Sequence, residues 1–147
     1  MRPRLHLGRH RRARTGGIVS LEFVLMLPFL LMVMLGIIDM SLLLCDKAVI
    51  TSAAGAAARQ GVVLRSTPYT IAQIQNVALT YTQGSLVSGG TTTTPTVTPS
   101  GSCSTIGSGN ALKVTINYTY NGLVVGSAFS ALTGPVTLTA AAVMNCE

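Results

Sequence analysis

The 147-residue chain has no tryptophan, two histidines, four acids and three cysteines. Both histidines, His6 and His10, lie within the first ten residues, so the rest of the chain supplies no imidazole. No Ser-His-Asp or Cys-His nucleophile set can be assembled from it. The acids are Glu22, Asp39, Asp46 and Glu147. Asp39 and Asp46 stand about 10 Å apart along one helix. No residues have metal-ligand spacing, and no glycine-rich loop follows a strand and opens a helix to cradle phosphate. The expectation is a protein that is not an enzyme, with no catalytic residues, no metal and no cofactor.

Charge is scarce as well: Asp, Glu, Lys and Arg make up 10% of the chain, and the net charge is +6. Six of the ten basic residues are Arg2, Arg4, Arg9, Arg11, Arg12 and Arg14. The other four, Lys47, Arg59, Arg65 and Lys113, are matched by the four acids. The basicity therefore belongs to the N-terminal segment and not to a folded surface. Nucleic-acid binding needs a basic patch on a folded module, so no nucleic-acid partner is expected.

What the chain has in abundance is one apolar run. Residues 1–17 are rich in Arg and His and end in Gly16-Gly17. From Ile18 to Leu44 the chain is almost wholly apolar. The strict core, Phe23 to Ile38, gives roughly 24 Å of helix, and Ile18 to Leu44 gives roughly 40 Å. A bilayer core of about 30 Å is spanned by the longer stretch. With the arginines on its N-terminal side, the N-terminus stays cytoplasmic and the C-terminal part is exported. Pro28 removes a backbone donor inside the run and is a candidate helix kink. Glu22 is the anomaly, because a carboxylate at mid-membrane costs up to about 3 kcal/mol, and less near the interface. One reading is an interfacial acid facing the positive end of the helix dipole. The other gives it a positive partner. A cut between Gly17 and Ile18 makes Ile18 the first residue and Glu22 the fifth, so the new α-amino group lies about one helical turn away. In a packed filament the carboxylate can instead neutralise a neighbour's amine. An uncut anchor is the rival, and a signal-peptidase site at Ala53–Ala58 would need an apolar segment longer than such signals carry.

The sequence Gly17-Ile18-Val19-Ser20-Leu21-Glu22-Phe23 resembles the cleavage motif of type IV prepilins. With Leu27-Pro28, Gly36-Ile37-Ile38-Asp39 and the later Ala56-Ala57-Ala58-Arg59-Gln60-Gly61, it resembles the TadE-like family of the tight adherence (Tad) pilus system. Gln60 stands where an acid is common. The resemblance implies a minor pilin or pseudopilin of a Tad, type IVb-like, pilus. It implies cleavage at Gly17/Ile18 by a prepilin peptidase, with Glu22 and Phe23 serving assembly and registration. The implied partners are that peptidase, other pilins and pseudopilins, inner-membrane pilus assembly proteins and the lipid bilayer. The implied location is the bacterial inner membrane as a single-pass protein, or the pilus fibre.

Three segments are expected: a basic leader over 1–17, the membrane helix and its extension over 18–64, and a small exported domain over 65–147. Small residues from Ala48 to Ala57 allow close helix packing, with helix expected to about Val63. Ser66-Thr67-Pro68 is the expected helix start, and Ile71, Ile74, Ala78 and Leu79 share one face of a helix over 70–82. Over 83–110, 21 of the 28 residues are Ser, Thr, Gly or Pro, which predicts an exposed, mobile loop with a brief edge strand at Val97. Ala111 to Tyr120 alternates strictly and predicts a half-buried strand. Asn121-Gly122 is a hairpin signal leading to Leu123-Val124-Val125, and a last strand is expected over Val136 to Met144. Cys103 and Cys146 are the candidate disulfide of an exported domain, closing a loop whose entropy contributes roughly 4 kcal/mol. Cys45 reads as a helix-packing residue. The expected fold class is α+β: a long N-terminal transmembrane helix, a short second helix and a small antiparallel sheet.

Overall fold

The fold is that of a computed structural model, which describes residues 16–63, 66–87, 93–122 and 135–146, with side chains from residue 20 onward. The basic leader up to residue 15 and the segment Leu123-Val124-Val125 lie outside the described residues. In chain order the elements are α1 (Gly16–Val62), α2 (Ile71–Thr82), β1 (Thr96–Pro99), α3 (Cys103–Ile106), β2 (Ala111–Tyr120) and β3 (Val136–Asn145). This is the expected α+β arrangement of a long apolar helix, a short second helix and a small antiparallel sheet.

The chain divides into two compact units, Met1–Val33 and Met34–Glu147. In the first, the described part of α1 is apolar on every side: Leu21, Phe23, Leu25, Phe29 and Met32 are all exposed. A helix apolar all round is either buried in protein or surrounded by lipid. Pro28 lies inside the helix.

In the second unit α1 becomes one-sided. Its buried positions are Asp39, Asp46, Ile50, Ala53, Ala54, Ala57, Ala58 and Gly61, three, four or seven residues apart along one stripe. That stripe meets a three-stranded antiparallel sheet of order β1-β2-β3. The even-numbered residues of β2, Leu112 to Tyr120, face inward, as the strict alternation predicts. The register pairs Leu112 with Met144, Val114 with Ala142, Ile116 with Ala140 and Tyr118 with Leu138, so β3 presents its even positions to the same core. One apolar cluster thus gathers Ile50 and the alanines of α1, Ile74 and Ala78 of α2, and these sheet residues. The alanines let α1 lie close to the sheet. Gly61 marks the tightest approach: a Cβ there would stand 2.5 Å from Leu112 Cδ2 and 3.1 Å from Ile74 Cδ1.

The helix expected over 70–82 is α2, which begins at Ile71. Thr70 is its N-cap, and its side chain accepts from Gln73 N while Gln73 Oε1 accepts from Thr70 N, closing a capping box. One expectation is corrected: the segment 83–110 is not simply a mobile loop. It carries β1, paired with β2 from Thr96↔Asn117 to Pro99↔Val114, and the short α3, while Gly101 and Ser102 are buried. β2 would otherwise have an open edge, and this polar segment closes it. Val97 does lie in an edge strand, as expected. The packing of the domain on α1 begins at Asp39, which is buried, and Leu42 and Leu43 pack against the core.

Candidate functional site

Two places carry functional chemistry: the start of α1 and the buried seam between α1 and the sheet. Gly16, Gly17 and Ile18 lie in the first turn of α1, with Glu22 and Phe23 in the next turn. A helix places residues four apart on one face, with Cβ atoms roughly 5–6 Å apart, so positions 18 and 22 are neighbours. Glu22 and Phe23 are both exposed. Among the described residues Glu22 makes no hydrogen bond or ion pair. The carboxylate is therefore presented on an apolar helix surface without a partner from the described part of its own chain.

The seam was not legible as a site. Asp39 and Asp46, seven residues apart, share the buried stripe of α1, and Asp46 is fully buried. Its Oδ1 accepts from the Val87 N–H at 2.8 Å. Its Oδ2 is buried and has no hydrogen-bond partner. Burial pushes the Asp46 carboxyl above its ordinary value, against the Val87 N–H, which pulls it down. Tyr120 reaches across from β2 and its hydroxyl donates to the Asp39 backbone carbonyl at 3.3 Å. Burial raises the Tyr120 phenol, and the nearby Asp39 and Asp46 charges raise it further. Lys47 Nζ donates to the Thr139 carbonyl, so α1 is also tied to β3. On the far edge, Gln75 Nε2 donates to the Val97 carbonyl at 3.0 Å and ties α2 to β1. The one available signal was spacing: a seven-residue separation puts both acids on the face that carries Ile50, Ala53 and Ala57.

Cys103 and Cys146 are joined in a disulfide with Cα atoms 5.6 Å apart. It fastens α3 to the end of β3, where Cys146 N also donates to the Asn110 carbonyl at 2.9 Å. Cys45 is free and exposed; it is not packed within this subunit. The described residues hold no group of three or more His, Cys, Asp or Glu placed to bind a metal ion. The structure therefore builds an apolar helix whose one unpartnered acid lies one turn from its start, and a domain clamped on the helix by buried polar contacts.

α1 is long and apolar enough to cross a membrane once. Residues 17–59 match a family model described as TadE-like protein. That match covers the helix start, Glu22, the exposed apolar stretch and most of the buried stripe. No curated protein and no solved structure matches the chain.

Proposed function

We propose, from the match of residues 17–59 to the TadE-like family model, that this chain is a Tad pilus-associated, pilin-like protein, a minor pilin or pseudopilin. It is inserted with its N-terminus in the cytoplasm and its domain exported. A prepilin peptidase removes the leader between Gly17 and Ile18. Two adjacent glycines weaken that first turn of helix by about 1 kcal/mol each relative to alanine, which favours local opening for the peptidase. The mature chain is held in the inner membrane by the apolar run of α1 that begins at Ile18 and passes from there to pilus initiation and assembly, in support of surface adherence.

The observation that carries this reading is Glu22, an exposed acid with no partner among the described residues, four positions after Ile18 on an apolar helix. In lipid such a carboxylate is tolerated when a positive charge meets it. The α-amino group created at Ile18, its own or a neighbouring subunit's, is that charge. Glu22 thereby sets the axial register of one subunit against the next, and Phe23 packs beside it. The exported domain contributes the surface.

The alternative is an uncleaved bitopic anchor that scaffolds a secretion complex or displays an adhesive domain. Substitution of Glu22 separates the two. Glu22→Ala is expected to be processed normally and to accumulate in the membrane, while cells carrying it assemble few or no pili. Normal piliation in that strain would remove the role assigned to Glu22.

A further inference from the structure

An open cleft of about 480 Å³ lies where the end of α1 meets α2. Gln60, Tyr69, Asn76, Val77, Thr80 and Tyr81 line it. Among the described residues the lining offers two phenol rings, two carboxamides, one hydroxyl and one aliphatic side chain, and no charged group. Tyr81 is 57% exposed, and Asn76 and Thr80 are exposed beside it. The cleft is firmly built. The capping box at Thr70 fixes the start of the helix that supplies four of the six residues. The Thr80 hydroxyl donates to the Asn76 carbonyl at 2.8 Å, which leaves its oxygen able to accept. Tyr69 is half-buried, and both Tyr69 and Gln60 are held by further interactions within the fold.

The chemistry of this lining selects a class of ligand. Phosphates and carboxylates call for Arg or Lys, and the described lining has neither. An apolar ligand calls for an enclosed, mostly apolar cavity, and this cleft is open, with polar side chains between its two phenol rings and Val77. A ligand with one apolar face and a rim of neutral hydroxyls fits what is present. Tyrosine rings give rigid, amphipathic area for the C–H face of a pyranose. Carboxamides carry a donor and an acceptor side by side, which matches vicinal hydroxyls. We propose that this cleft binds a neutral saccharide, stacked on Tyr81 and hydrogen-bonded by Asn76 and Gln60. The site lies wholly within the domain, so it stands whether or not the leader is cut.

The test uses the full chain reconstituted in lipid nanodiscs without alkyl-glycoside detergents, whose sugar heads would compete. It is applied to an array of neutral oligosaccharides, acidic oligosaccharides and proline-rich peptides. Retention on neutral hexose or hexosamine glycans is expected. Tyr81→Ala is expected to weaken it roughly tenfold, the size of one lost aromatic contact, while Tyr81→Phe keeps most of it. Tyr81 is exposed, so these variants fold, and an unchanged circular dichroism spectrum checks this. Retention confined to acidic glycans or to peptides, no retention at all, or binding equal in Tyr81→Ala and the parent would each overturn the proposal.

Discussion

Removing the Cys103–Cys146 bridge tests how the polar segment before β2 is held. The two cysteines are 43 residues apart, so the bridge closes a loop containing α3, β2 and β3. By the chain-entropy relation, a loop of that length restricts the unfolded state by roughly 4 kcal/mol at 25 °C. A domain of this size has a total stability of about 5–15 kcal/mol, so the loss takes a large share of the margin. The native side of the balance changes little, because β1–β2 pairing and the Cys146 N to Asn110 O bond keep the same backbone in place. Cys103→Ala with Cys146→Ala is the clean perturbation, since a serine would bury an extra hydroxyl at Cys146. The assay is urea unfolding in nanodiscs followed by tyrosine fluorescence, because Tyr118 and Tyr120 are buried and report on the core while the membrane helix stays formed. Thiol labelling gives the internal control: one reactive thiol, Cys45, in the native parent, and three after reduction under denaturing conditions. The double variant is expected to lose roughly 3–4 kcal/mol with an almost unchanged native spectrum. A loss below about 1 kcal/mol would refute the loop-entropy reasoning, and labelling of three thiols in the native parent would refute the bridge itself.

Two further substitutions probe the seam. Gly61→Ala gains about 1 kcal/mol of helix propensity, but its methyl meets Leu112 and Ile74, both fully buried and unable to move aside freely. Overpacking of about 1–3 kcal/mol wins, and chemical denaturation is expected to show a net loss of about 1 kcal/mol; a gain would mean the core is looser than described. Asp46→Asn keeps the acceptor for Val87 N–H and removes the buried charge. Tyr120 on β2 is near enough to feel its charge, and the ammonium of Lys47, the next residue on α1, is committed to Thr139. Because folding raises the Asp46 value above its ordinary 3.8, the contribution of this group favours the fold when it is protonated and is lost as pH rises through the raised value. Asp46→Asn is therefore expected to be more stable than the parent near pH 7 and indistinguishable from it below about pH 4. A variant less stable than the parent at neutral pH would contradict this.

Much of this fold was legible because local pattern and tertiary context agree. β2 alternates strictly from Ala111 to Tyr120, and one face of it is the core, so its bounds and facing follow from period alone. α1 ends at Val62 because the small-residue stripe that packs on the sheet ends there. Glu22 stood out because a charge in an apolar run is costly enough to need a reason. Other features depended on partners far along the chain. β1 is four residues in a Ser, Thr, Gly and Pro stretch, and it is a strand because β2 offers an open edge and Gln75 reaches the Val97 carbonyl. The helix expected over 70–82 begins where Thr70 and Gln73, three residues apart, close a capping box. Leu42, Leu43 and Leu44 are as apolar as the residues before them, so their sequence does not mark where the domain begins to pack on the helix. Only the fold reveals that the sheet, through Tyr120, reaches Asp39.

The most direct test is the N-terminus of the mature protein, read by mass spectrometry of the membrane fraction from cells with and without the prepilin peptidase. The expected result is a chain starting at Ile18 that appears only when the peptidase is present, which gives Glu22 its amine four positions away. A chain that keeps Met1 and the arginine-rich leader in both strains would contradict it, and would leave Glu22 without the charge on which its registration role depends.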